Sequence, residues 1–134
     1  VAERPDPISG TLTHFIKKDS EKNIAKAYDK LGNRTKDAKE SDLSYELLKV
    51  IGSIHLLEVK PRTGRPHQIR VQLSKIGCPI WGDVKYGFRK PNQDGSIHLH
   101  CRQLAFIHPV KKERIEIEAN PPATQLWNEL DMEV

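Results

Sequence analysis

The stretch that most constrains the fold of this chain is residues 57–87, where the strand-type run Leu57-Glu58-Val59-Lys60-Pro61 gives way to Arg62-Thr63-Gly64-Arg65-Pro66-His67-Gln68-Ile69-Arg70. Thr63 and Gly64 end the β-type run, and Pro66 suits the first turn of a helix, so the pattern predicts a strand turning into a helix over residues 66–76. On a helical wheel Ile69, Leu73 and Ile76 form an inward stripe, while His67, Arg70 and Ser74 share the opposite side at neighbour spacing. Unpaired backbone N–H groups and the macrodipole at the helix start would add to Arg62, Arg65 and His67, which together suit an anionic ligand. Any one of these arginines alone reads as a solvated surface charge.

The remainder predicts an α+β fold with a mixed, largely antiparallel sheet and a few helices. Residues 43–51 and 54–60 flank Gly52-Ser53 and form a hairpin whose second strand feeds the basic helix. Residues 11–17 and 24–28 read as shorter strands. Residues 32–42 are polar and without period, which marks a mobile loop. After the helix, residues 88–96 form a loop, residues 103–107 and 114–118 form two closing strands, and Leu126, Trp127 and Leu130 belong to a short terminal helix docked on the sheet. The 134 residues, 37% hydrophobic and 30% charged, suit one folded domain.

The net charge of +4 is unevenly placed. Residues 60–90 hold eight Lys or Arg against Asp83 alone, a local +7, so the rest of the chain carries −3. Such a stripe neutralises phosphates and releases counterions, which favours nucleic acid over membrane headgroups. No stretch approaches the ~20 apolar residues of a spanning helix, and no signal peptide opens the sequence. Cys78 and Cys101 lack the spacing of a disulfide framework and are expected reduced and partly buried. His98, His100 and Cys101 crowd together, but strand alternation would send the two histidines to one face and the cysteine to the other, so no metal site is assigned.

The run Thr63-Gly64-Arg65-Pro66-His67-Gln68-Ile69-Arg70, followed by Gly77-Cys78-Pro79-Ile80-Trp81-Gly82-Asp83 and Tyr86-Gly87, closely resembles the RluA family of RNA pseudouridine synthases. Leu99-His100 with Leu104, His108-Pro109 and Pro121-Pro122 continue that likeness in order, so it spans most of residues 43–122. The resemblance implies uridine isomerisation in structured ribosomal or transfer RNA, without metal or cofactor, in the cytoplasm. It also implies that Arg70 is the basic partner of a nucleophilic aspartate. That aspartate belongs to an upstream Arg-Leu-Asp motif, which this sequence lacks; Glu129-Leu130-Asp131 lies at the wrong end. None of Tyr28, Tyr45 and Tyr86 matches the position of the family's active-site tyrosine.

The expectation is therefore the C-terminal part of a catalytic domain, inactive alone, with RNA and the N-terminal half of its own domain as partners and with Arg70 having lost its partner aspartate. His100 takes the family's Leu-His position, as a packed or hydrogen-bonded residue. Arg65, His67 and Gln68 are assigned to RNA or to bracing the site, and Arg62, Lys85, Arg89 and Lys90 to phosphate contacts. Asp83, in a Gly-Asp turn, is expected to bond nearby backbone N–H groups rather than serve as nucleophile. Two other readings are an RNA-binding module that kept the scaffold without its chemistry and a metal-dependent hydrolase using His98, His100 and Cys101.

Overall fold

A computed structural model describes residues 1–33 and 35–130; Arg34, within the 32–42 segment, and Asp131 lie outside the described residues. The chain divides into two compact units, Val1–His98 and Leu99–Val134.

The first unit is built on a four-stranded antiparallel sheet of β1 (Ser9–Asp19), β2 (Ile24–Tyr28), β3 (Lys39–Ile51) and β4 (Ile54–Pro61), in the order β2-β1-β3-β4. The expected hairpin is β3–β4, turning at Gly52-Ser53, with a bulge at Leu48 between the pairs Leu47↔Leu57 and Lys49↔Leu56. Alternation sets its faces: Ser41, Leu43 and Tyr45 are buried, two residues apart on one side of β3. β3 starts earlier than expected, because residues 39–42, though polar, pair with residues 13–16 of β1 and so lie inside the ladder. β4 ends at Pro61, which has no N–H to donate.

Helix α1 (Gln68–Lys75) packs on β1 and β2, and Ile16, Ala25, Val71 and Tyr86 form the core beneath it. Burial of Ile16 and Val71 stabilises this contact by ~1.5–3 kcal/mol each. The inward face differs from the wheel. Gln68, Val71, Gln72 and Leu73 are buried, whereas Ile69 and Ile76 are half-buried. The reason is polar: the Gln72 amide, 0% exposed, donates toward His14 Nδ1 (2.9 Å) and the carbonyls of Ser41 (3.3 Å) and Leu12 (3.4 Å). A wheel scores glutamine as outward, yet one whose amide meets strand carbonyls packs inward.

Beyond α1 a single 3₁₀ turn spans Val84–Tyr86, followed by the loop that leads to His98. Both cysteines are free, as expected, but Cys78 is buried and Cys101 is exposed, so the expected burial fails for the second. His98 to Cys101 are not in a strand, which removes the alternation argument. Instead His98 Nδ1 meets Asn92 Nδ2 at 2.9 Å, while His100 Nε2 meets the Ala119 carbonyl at 2.8 Å.

In the second unit β5 (Gln103–Ile107) and β6 (Arg114–Glu118) form an antiparallel hairpin, and α2 spans Gln125–Leu130. The pairs Leu104↔Ile117 and Phe106↔Ile115 share one face of that hairpin. Its turn is closed by His108, whose Nδ1 accepts from the N–H groups of Val110 (3.1 Å) and Lys111 (3.0 Å).

Candidate active site

The junction between β4 and α1 is held by Gln68. Its Oε1 accepts from the Thr63 hydroxyl (2.8 Å) and the Arg65 N–H (3.0 Å), and its Nε2 donates to the Asp42 carbonyl (3.0 Å). Thr63 Oγ1 in turn accepts from the Asp42 N–H at 3.1 Å. One buried amide thus ties the Thr63–Arg65 loop to the β3 backbone at Asp42, whose carbonyl also accepts from the Arg62 N–H (2.9 Å). Of the two roles left open for Gln68, contact with RNA or bracing, these bonds fill the second. Arg65 also turns back, donating from Nη2 to the Glu40 carbonyl at 3.0 Å. The chain then enters the helix through His67 in a left-handed conformation (φ 56°), so the helix starts at Gln68 rather than at Pro66.

One turn into α1, Arg70 meets Asp83. Nε donates to Oδ2 and Nη2 to Oδ1, both at 2.8 Å, a side-on fork. Arg70 thus has a carboxylate partner within this chain, one that the sequence expectation did not name. The expectation for Asp83 is corrected: its carboxylate caps nothing in its own turn; at 1% exposure it is given over to the guanidinium. A charge-assisted fork outcompetes a neutral backbone bond for a buried carboxylate. Hydrogen bonding to Asp83 raises the Arg70 pKa above its ordinary value, with burial opposing, so the charge is permanent.

Tyr86 covers the same guanidinium, with Arg70 Cζ 4.8 Å from the ring centroid. Its hydroxyl accepts from the Ala25 N–H (2.9 Å) and lies 2.6 Å from His67 Nδ1. With one proton to donate and one N–H already facing it, the hydroxyl donates to His67, which assigns the Nε2–H tautomer. That agrees with the His67 pKa, which burial pushes below 6.5, followed by Arg70, Lys18 and Lys85, while Asp83 pulls the other way. Ser74 Oγ donates to the Tyr86 carbonyl and ties the turn to α1.

Arg70 and His67 are therefore brought together, joined by Asp83 and Tyr86, with Lys18 and Lys85 close enough to act on His67. Arg62, Lys85, Arg89 and Lys90 are exposed, and the Arg89 guanidinium lies 5.6 Å from the Phe88 ring centroid. Sequence reasoning missed Lys18, and it missed Tyr86 and Asp83 as a pair. The available signal was their three-residue spacing between Gly82 and Gly87. Chemically, the cluster is an aimed cation beside a neutral imidazole, suited to hold and orient an anion.

A half-buried guanidinium presented from an antiparallel α+β scaffold within a basic surround defines a class of anion-orienting, nucleic-acid-type site. Comparison with known proteins makes the class particular. The chain is 40% identical over 88 residues to an uncharacterized RNA pseudouridine synthase of Bacillus subtilis (66% of this chain, 29% of that protein). It is 36% identical over 124 residues to one of Chloroflexus aurantiacus (92% and 37%). It is 31% identical over 125 residues to tRNA pseudouridine synthase C of Haemophilus influenzae (80% and 52%). In three dimensions it matches human RNA pseudouridylate synthase domain containing 1 with a TM-score of 0.64 at 27% identity, over 86% of this chain and 49% of that one. No protein-family model matches. The chain belongs with the RNA pseudouridine synthases, and its fold is theirs; it spans about half the length or less of these relatives.

Proposed function

We propose that the protein carrying this chain isomerises uridine to pseudouridine in structured ribosomal or transfer RNA, and that Arg70 pairs with its nucleophilic aspartate. The observation that carries this reading is the state of Arg70. Its Nε/Nη2 side is fixed on Asp83, and among the described residues Nη1 makes no hydrogen bond to the protein, which leaves the Nη1/Nη2 edge able to meet a second anion. A guanidinium so placed keeps a second carboxylate ionised and directs it.

In the reaction the carboxylate attacks C1′ of a flipped-out uridine as the C1′–N1 bond breaks and uracil leaves as its N1 anion; the uracil turns within the pocket, C5 attacks C1′ and expels the carboxylate, and the C5 proton is lost to water while N1 takes one up. Flipping is required because the reacting atoms are closed off in a stacked base, and the pocket retains the freed uracil for re-attack. No cofactor or metal takes part. Asp83 is not the nucleophile, since it is buried and held by Arg70 at both oxygens. The nucleophile lies outside these 134 residues, in the N-terminal half of the same catalytic domain, which makes this chain alone inactive. Arg62, Lys85, Arg89 and Lys90 are assigned to RNA phosphates and His67 to the substrate RNA or to bracing the site; among the described residues no helix is long and apolar enough to cross a membrane.

The test is tritium release from RNA labelled at uridine C5. The full-length protein should release tritium, while residues 1–134 and full-length Arg70→Ala should not. Release by residues 1–134 alone would place the nucleophile within them and refute the reading. RNA binding by the full-length protein without any release would instead favour a binding module on the synthase scaffold.

A further inference from the structure

We propose that Asp83 and Tyr86 act as a paired positioning device for Arg70, gripping one edge and one face of its guanidinium so that only the Nη1/Nη2 edge remains to meet an anion. The inference deepens the proposed function and rests on the assignment of Arg70 made there.

The device is built from a short piece of chain. Asp83 stands at the N-cap position of the 3₁₀ turn (φ −88°, ψ 76°) without capping it, and Tyr86, whose N–H donates to the Asp83 carbonyl (3.2 Å), ends it, so one short turn carries both side chains to Arg70. The turn lies between Gly82 (φ 86°) and Gly87 (φ 109°), conformations that L side chains rarely adopt. A Cβ on Gly82 would also lie 2.3 Å from Asn92 Nδ2 and 3.0 Å from the Ser96 carbonyl. Those glycines let the chain reverse tightly enough to aim both side chains at α1. There Asp83 takes Nε and Nη2 in the plane of the guanidinium, and Tyr86 lies over its face. The ring is anchored at its own far end by the Ala25 N–H and by His67.

Charge alone does not explain this arrangement. If Arg70 served only as a positive charge for the nucleophile, a buried carboxylate 2.8 Å away would work against it, because it neutralises the cation and repels a second carboxylate. What Asp83 adds is direction, because a bidentate fork fixes both the plane and the axis of the group. Removing the Asp83 charge should therefore slow the reaction, although it leaves Arg70 a stronger net cation.

The experiment uses the full-length protein with Asp83→Asn, Arg70→Lys and their double variant, assayed by tritium release. Asp83→Asn should lower kcat by about 100-fold, as expected of a group displaced by ~1 Å, with KM for RNA nearly unchanged. In the Arg70→Lys background Asp83→Asn should have no further effect, since Asp83 acts through the guanidinium. A purely structural role would lower the folded fraction and leave kcat per folded molecule alone. A folded Asp83→Asn protein with kcat within twofold of the parent overturns the proposal, as do losses that multiply in the double variant. Full activity of Arg70→Lys, or no release by the parent, instead refutes the assignment of Arg70 or the reaction. A second measurement judges the grip without turnover: exchange of the Arg70 Nε–H with solvent, followed by NMR. Slow exchange in the parent that becomes fast in Asp83→Asn supports the grip, and fast exchange in the parent overturns it.

Discussion

Replacing Tyr86 by Phe tests how the site is tied to the core, because it removes one oxygen and leaves the ring. That oxygen accepts from the Ala25 N–H on β2 and meets His67 Nδ1 before α1. Ala25 is 2% exposed, so without the hydroxyl its N–H is buried beyond the reach of bulk water. Stranding a buried donor costs about 1–3 kcal/mol, and the lost bond to His67 adds to it, so a loss of about 2 kcal/mol is expected. With a urea dependence of ~2 kcal/mol per molar, the unfolding midpoint should fall by about 1 M at unchanged slope. For a unit the size of Val1–His98 the same loss lowers Tm by about 10 °C.

The variant also has a local signature. Donation from the hydroxyl favours neutral His67, so the His67 pKa should rise toward 6.5 in an NMR titration, while burial and the neighbouring cations still hold it below. The ring stays over Arg70, so catalysis by the full-length protein should change less than in Asp83→Asn. A midpoint within about 0.2 M of the parent, with His67 titrating as before, would show that the hydroxyl is not the tether and refute the reasoning.

Gly82→Ala should destabilise by ~2 kcal/mol or more in the same urea assay, since a Cβ there meets Asn92 at 2.3 Å from a left-handed backbone; a neutral result would mean that the Asn92 loop yields freely. Lys85→Ala should weaken RNA binding about equally for all sequences and reduce the slope of log K against log salt by ~1, measured by filter binding; an unchanged slope would remove Lys85 from the phosphate contacts. Acid should destabilise the fold through His14, His67 and His98, whose folded values all lie below 6.5 owing first to burial. The folded state resists protons that the unfolded chain accepts, so this stability is complete above pH 6.5 and is lost as pH falls toward the folded values. His14 is also faced by Asp29 and Lys75, and His14→Gln should flatten that decline in urea titrations run at successive pH values.

The hairpin of β3 and β4, the strand at residues 24–28 and the β5–β6 pair were legible because each depends on local period and a marked turn. Residues 39–42 and the inward glutamines of α1 were not, since both depend on partners far along the chain: β1 for the strand, and the Leu12 and Ser41 carbonyls for Gln72. The site divides the same way. Arg70 could be assigned by motif because it sits in a contiguous run, but its pairing with Asp83 crosses thirteen positions and a reversal of direction. Composition and spacing reveal a surplus of cations, and they cannot say which cation has been neutralised. Arg70 is forked to a buried carboxylate, whereas Arg62, Lys85 and Arg89 remain exposed to solvent. The stripe that reads as one uniform basic surface is thus two kinds of charge: one guanidinium fixed in plane and axis by a carboxylate, and several solvent-exposed cations around it. The first suits the stereochemistry of a single reacting group, and the others suit a backbone of phosphates whose exact positions need not be met.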